Sequence, residues 1–408
     1  MTQRYDTYKD SGVQWLGEIP GHWGCVFINR LFNIKAGGDV KPELYADKKD
    51  ENHPFPVYTN TKSADDVYAY TSLATCPSNS ITVTGRGEVG HAIFRETPYD
   101  AIVRLLSLTP KSNIICKFYA YFIDTVIPFS SDSAAIGQLS AVQIKQKHVT
   151  LPPLSEQRSI VSYLDAKCGK IDEWVTKKQK EVEHLQELKQ RVIADAVTRG
   201  LNPHVKMKAT NISWLKEIPE HWEMSKISSH FRQRNEKVSD KDYPALSVSK
   251  QGVTPQLDNV ALSNAEGTSR KLVKVGDYAV NSRSDRKGSC GVSKYEGSVS
   301  LITIVLEPFN INGEYIHYLF RSNLWVEEFY RNGRGIVADL WTTNYQMMKS
   351  MYMPVPPLSE QKQIVSYLDA KTSQIDKLIA HITKEIECIK EYKQRLISDV
   401  VTGQIKVC

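Results

Sequence analysis

One stretch of 47 residues occurs twice in this chain, and its two copies are too long and too alike to fold differently. Residues 152–198 match residues 356–402 at 27 positions, without a gap, at an offset of 204. Each copy opens on Pro-Leu-Ser-Glu-Gln, at Pro153–Gln157 and Pro357–Gln361. A duplication of this length means two copies of one structural unit.

Both copies read as a single uninterrupted helix. Prolines precede it, where a missing N–H costs little, and Ser155 and Ser359 stand at the position of an N-cap. Glu156 and Glu360 place negative charge in the first turn, which suits the helix dipole. No proline or glycine interrupts the second copy between Ser359 and Thr402, and the first holds only Gly169. Apolar residues then recur every seven positions. In the second copy one seam is Leu368, Ile375, Ile382, Ile389 and Leu396, flanked by Val365, Thr372, Ile379, Ile386 and Lys393. The first copy gives Leu164, Ile171, Lys178, Leu185 and Val192, beside Val161, Cys168, Val175, Val182 and Lys189. Heptads sustained this long predict a coiled coil. Helices 156–198 and 360–402 are expected to pair antiparallel as a rod of roughly 65 Å at about 1.5 Å per residue. The plainer alternative is two unrelated amphipathic core helices.

A second repeat opens each half. Trp15-Leu16-Gly17-Glu18-Ile19-Pro20-Gly21-His22-Trp23 returns as Trp214-Leu215-Lys216-Glu217-Ile218-Pro219-Glu220-His221-Trp222. The offset is now 199, so the region between motif and helix is five residues longer in the second half. Tryptophans around a proline turn predict a segment stapled onto a domain. His22 and His221 have no metal partners at ligand spacing and read as structural. The chain thus divides into 1–150 (opening motif 8–23), a helix at 151–200, 201–354 (opening motif 209–222) and a helix at 355–408. With 408 residues, 41% hydrophobic and 24% charged, it has ample core for two or three domains.

The globular regions, roughly 24–150 and 223–354, share little sequence. Strands are expected at Ser80–Thr84, His91–Phe94, Ile102–Leu108, Tyr278–Val280 and Val299–Leu306, and helices near Lys117–Asp124 and Glu314–Arg321. The expected fold class is α+β: two mixed α/β domains separated by two long helices, related by a pseudo-twofold repeat.

Gly85-Arg86-Gly87-Glu88-Val89-Gly90 matches GxGxxG, but a dinucleotide site needs a helix after it. His91-Ala92-Ile93-Phe94 continues as a strand instead, so this is read as a hairpin tip with Arg86 exposed. The polar stretch 281–288, with Asn281, Ser282, Arg283, Arg286 and Lys287, is its counterpart: a solvated turn, or a surface for phosphates and base edges. Two further loops, 130–140 (Ser133, Gln138) and 331–344 (Arg331, Arg334, Asn344), hold equivalent places upstream of the two helices. Tyr58, Asn60, Thr61, Lys62 and Thr84 in the first region, with Ser249, Lys250 and Gln251 in the second, complete the candidate contact set.

The remaining signals exclude classes. Seven cysteines without a CxxC pair favour a reduced, cytoplasmic chain over a disulfide framework or zinc site. No apolar run is long enough to span a membrane. Net charge is +6, compatible with nucleic acid but too small to argue for it alone. No phosphate loop, amino-methyltransferase Pro-Pro-aromatic motif or Ser/His/Asp spacing occurs. Glu187-Leu188-Lys189 and Glu391-Tyr392-Lys393 resemble part of a nuclease motif but sit inside the heptads.

Taken together, the duplicated Pro-Leu-Ser-Glu-Gln…Ile-Val…Leu-Asp helices, each preceded by a divergent region opening on Trp-Leu-…-Glu-Ile-Pro-…-His-Trp, resemble the specificity subunits of type I restriction–modification systems over nearly the whole chain. The resemblance implies two target-recognition domains, each reading half of an asymmetric bipartite site in double-stranded DNA. It implies that the helices set their separation and dock two modification (methyltransferase) subunits, with two motor–nuclease restriction subunits as optional partners in host defence. S-adenosylmethionine, ATP and magnesium would belong to those partners, leaving this chain non-catalytic and without a metal. Two rival classes remain. A coiled-coil adaptor with protein-binding domains would need no cationic loops, and an enzyme acting alone would need catalytic residues.

Overall fold

The computed structural model describes residues 3–129, 138–239, 241–256, 270–334 and 342–407. The chain forms two compact units, 1–178 with 384–408, and 179–383. Each unit therefore takes the start of one long helix and the end of the other. Those helices run Leu154–Arg199 and Leu358–Val401.

Within the first unit, Thr150 donates to the carbonyl of Val401 at 3.1 Å, and Lys393 reaches both oxygens of Asp172 at 2.7 Å. One helix rises in number as the other falls, so they lie antiparallel. Within the second unit the same sense holds: Lys189 reaches both oxygens of Asp376 at 2.7 Å, and Gly200 stands against Glu360. The heptad seam is the packed face. Leu164, Val175, Leu368, Ile375, Ile382, Ile386 and Leu396 are buried, and Ile171, Val182, Leu185, Val192, Ile379 and Ile389 are half-buried.

The helix starts come two residues earlier than expected. Both begin at the leucine, and the carbonyls of Pro153 and Pro357 accept the first helical bonds, from Gln157 and Gln361 at 3.0 and 2.9 Å. Ser155 and Ser359 thus lie inside the first turn and are not caps.

Each unit then builds the same sheet. In the first, the order is Phe32–Ala36, Leu106–Pro110, Ser80–Val83, Ala92–Arg95. In the second it is Phe231–Gln233, Ile304–Pro308, Tyr278–Val280, Cys290–Val292. All neighbours are antiparallel. A helix packs on each sheet, Cys116–Val126 and Gly313–Arg321. Two strand expectations fail for one reason, a turn inside the apolar run. Val103 and Arg104 have φ of +53° and +60°, so the strand begins only at Leu106. The expected run 299–306 splits into Gly297–Val299 and Ile304–Pro308 around a turn. The helix Asn323–Arg331 was not foreseen. The core of each unit joins these elements to the long-helix ends: Ile160, Leu164, Ile397 and Val400 in the first, and Ile193, Val197, Ile364 and Leu368 in the second.

Candidate nucleic-acid interface

The repeated motifs form the bracket beneath each domain. Glu156 accepts from Trp23 Nε1 at 2.9 Å, from the Tyr5 hydroxyl at 2.8 Å and lies 2.6 Å from His22 Nε2. Glu360 repeats this with Trp222 at 3.0 Å and His221 at 2.8 Å. Both indoles are fully buried. The next residue clamps the start of the helix packed on each sheet. Gln157 accepts from the Ile115 N–H at 3.0 Å and donates to the Pro152 carbonyl at 2.9 Å. Gln361 does the same with Asn312 and Pro356, both at 2.8 Å. Pro-Leu-Ser-Glu-Gln is thus a connector, with Glu holding the opening motif and Gln holding the domain.

The candidate loops leave one end of each sheet. In the first unit Ala36, Val83 and Leu106 pair across that end, so the turns at 37–38, 84–91 and 102–105 emerge together. Asn60 ties them. It donates to the Val103 carbonyl at 2.8 Å and accepts from the N–H groups of Gly85 and Arg86 at 2.7 and 3.2 Å. Gly85 sits where a Cβ would meet the Arg104 carbonyl at 2.8 Å and that of Leu139 at 3.1 Å, so only glycine lets these strands of backbone close up. Gln138 then bridges Arg86 through the backbone.

The second unit repeats this arrangement. Arg283 lies in the same hairpin of the same sheet and bridges Thr342 through the backbone, as Arg86 does Gln138. The Thr343 N–H donates to the Ser282 carbonyl at 3.1 Å, as Leu139 does to Gly85 at 2.9 Å. The described ends of the two loops read as equivalent from their place in the repeat, 138–139 and 342–343, therefore hold equivalent positions on their sheets.

The candidate side chains divide into presented and inward-turned. Lys62, Gln138, Lys250, Gln251, Arg283, Arg286, Lys287 and Arg334 are exposed. Lys62 pairs with Glu88; Arg283 and Arg286 share Asp285 at 3.0 and 3.6 Å; Lys287 meets Glu327 at 3.2 Å. Asn60, Thr61, Ser249 and Asn281 are half-buried. Several expectations need correction. Tyr58 is buried, with the Arg95 guanidinium 3.5 Å over its ring. Thr84 is buried and caps its own turn, donating to the Glu88 carbonyl at 2.6 Å and accepting from the His91 N–H at 2.9 Å. Ser282 is buried on the Ile302 carbonyl at 2.6 Å. Asn344 caps the short helix Tyr345–Met348. Arg331 stays exposed, as expected, and is engaged with Glu328 and with Ser213 of the opening-motif hairpin. Arg86 is half-buried rather than exposed, its Nε buried and without a hydrogen-bond partner among the described residues. Ser133 lies outside the described residues.

Sequence reasoning missed Arg104. It is exposed on the left-handed turn that Asn60 holds against Gly85. It also missed His91, whose Nδ1 is 2.5 Å from Asp124 and whose Nε2 is 2.8 Å from the Lys62 carbonyl. The hydrogen bond to Asp124 raises the His91 pKa, against the opposing effect of burial.

The model of the type I restriction–modification DNA specificity domain matches this chain twice, over residues 20–184 and 219–388. The chain belongs to the type I specificity-subunit family. Each match takes in one globular domain and the start of the helix behind it. A type I specificity subunit of Mycoplasma pneumoniae is 30% identical over 143 residues, 33% of this chain and 39% of that protein. The aligned part therefore spans about two-fifths of that relative. The MjaVIII specificity subunit of Methanocaldococcus jannaschii is 22% identical over 95% of this chain and 94% of its own. A chain solved in a structural study of complex assembly and conformational transition of the type I R-M system shares the fold, with a TM-score of 0.69 at 12% identity over 94% of this chain and 98% of that one.

Proposed function

We propose that this chain is the DNA-reading subunit of a type I restriction–modification complex, each globular domain reading one half of an asymmetric bipartite site. The observation that carries this reading is the recurrence, on two sheets of identical strand order, of a cation-bearing hairpin braced by a second loop: Arg86 with Gln138, and Arg283 with Thr342. Two divergent surfaces on one repeated frame suit two different half-sites. Arg86, Arg104, Lys62 and Gln138 would face the first, and Lys250, Gln251, Arg283, Arg286, Lys287 and Arg334 the second. An arginine reading a guanine uses both acceptors of its major-groove edge, whereas one on a phosphate only positions.

In this reading the chain is cytoplasmic and performs no chemistry. The long helices set the separation of the readers and dock two modification subunits, which bring S-adenosylmethionine. Restriction subunits, where present, bring ATP and magnesium. The test is equilibrium binding of the chain assembled with modification subunits to duplex DNA at several salt concentrations. A DNA reader loses affinity linearly in log salt. A protein-binding adaptor shows no such slope. Methyl transfer by the isolated chain would instead revive the enzyme reading.

A further inference from the structure

The two units differ at one helix position that their shared frame makes equivalent. Tyr121 donates to Asp165 at 2.7 Å and Tyr318 to Asp369 at 2.6 Å. Those aspartates are repeat partners, so the tyrosines mark one place on the two sheet-packed helices, Cys116–Val126 and Gly313–Arg321. Three residues on, the first unit has Asp124, turned to His91. The second has Arg321.

Arg321 lines a cavity of about 560 Å³ together with Lys189, Lys250, Lys287, His317 and Glu327. Two of its four cations have carboxylate partners: Lys189 has Asp376 and Lys287 has Glu327. Arg321 and Lys250 have none among the described residues. The guanidinium is held by neutral acceptors, His317 Nε2 at 3.3 Å and the Lys250 carbonyl. Burial, with Arg321 beside it, pushes His317 down to about 4, so the imidazole is neutral at pH 7 and accepts from the arginine without repelling it. An arginine braced by neutral groups keeps its charge for an outside anion, and its planar donors suit a phosphate. The lysines at the mouth come from the 250–251 hairpin tip and the 281–289 hairpin, both candidate DNA loops.

We infer that this cavity seats a phosphodiester of the DNA backbone beside the second half-site, with Arg321 and Lys250 as its ligands. This rests on the proposed DNA-reading function. The first unit carries a carboxylate, Asp124, at the matching position, paired with His91. The contact would fix the register of the second domain and carry no base information.

The experiment measures binding of the assembled complex to cognate and single-base-changed duplexes over a range of salt. Arg321→Gln and Lys250→Gln should each weaken all duplexes alike and make the salt slope shallower, and the double variant should lower it by about 0.9 in all, the value for one phosphate lost. Discrimination between duplexes should stay as in wild type. Arg321→Lys should keep the slope, which separates lost charge from misfolding. A single neutral methylphosphonate linkage, walked along the backbone, should at one position weaken the wild type but leave the Arg321→Gln/Lys250→Gln double variant unaffected. Unchanged slope and affinity in both glutamine variants, or a loss confined to one base pair, would overturn the inference. So would a thermal shift of the wild type, absent in Arg321→Gln, with inorganic phosphate while the DNA slope is unchanged; the cavity would then take free phosphate. A wild-type complex with no salt-dependent DNA binding would sink the proposed function together with this site.

Discussion

Lys393 Nζ lies 2.7 Å from both carboxylate oxygens of Asp172, and the bond recurs 204 positions away between Lys189 and Asp376, also at 2.7 Å. Each lysine occupies a heptad position and each aspartate sits on the facing helix. Both carboxylates are more than half exposed, so each pair should contribute only ~0.2–1 kcal/mol. Asp172→Asn is expected to lower stability within that range, and less in high salt. Ile382→Asp, by contrast, places an unpaired charge in the buried seam and should cost several kcal/mol. Urea melts of the two variants check the contrast; equal effects would mean that the seam is not what holds the helices.

Glu156 offers a pH test. Burial works to raise its pKa, but the hydrogen bonds from His22, Trp23 and Tyr5 outweigh that and hold it below the ordinary value. A carboxylate depressed in the folded state adds stability above its unfolded pKa, and that stability is lost as pH falls through the folded value. Wild type should therefore exceed Glu156→Gln in stability at neutral pH and lose its advantage below about pH 4. Glu156→Ala, which strands the buried Trp23 N–H, should cost about 2 kcal/mol at pH 7.

His91 titrates in the opposite sense. A carboxylate and a carbonyl can only accept, so the ring satisfies both Asp124 and Lys62 only when it carries both protons. Its pKa is raised, so its contribution is complete below the unfolded value of about 6.5 and fades as pH rises through the folded one. The stability gap between wild type and His91→Gln should narrow as pH rises above about 6.5. A gap independent of pH would mean that the ring acts as a neutral spacer.

Arg86 and Arg283 hold equivalent places, so their substitutions should give parallel results on different half-sites. Arg86→Ala should lower binding or discrimination only for changes in the first half-site, and Arg283→Ala only in the second. Loss of discrimination at one base pair, worth about 1–3 kcal/mol, marks base reading. A uniform loss with a shallower salt slope marks a phosphate contact. Neither effect from either variant would return these hairpins to the class of solvated turns.

The helices were readable because a seven-residue period and a long, gapless repeat survive without knowledge of distant contacts. Gln157 and Gln361 were not readable as clamps: a glutamine in a first helical turn looks solvated until Ile115 or Asn312 is seen above it. The loops were found by composition, yet composition does not say which side chains turn inward, and Tyr58, Thr84 and Ser282 did. Arg104 was hidden because an apolar run surrounds it, and only the long-range bond from Asn60 to Val103 reveals the turn that presents it.

The central claim is that two separate readers sit on one frame. Residues 24–150 should be exchanged for the matching region of a relative, leaving the opening motif and both long helices intact, and the methylated sites mapped in DNA from cells carrying the hybrid complex. The account predicts that one half of the bipartite site changes, while the other half and the spacing between them stay as in wild type. A hybrid that folds and methylates but recognises a site altered in both halves would contradict it.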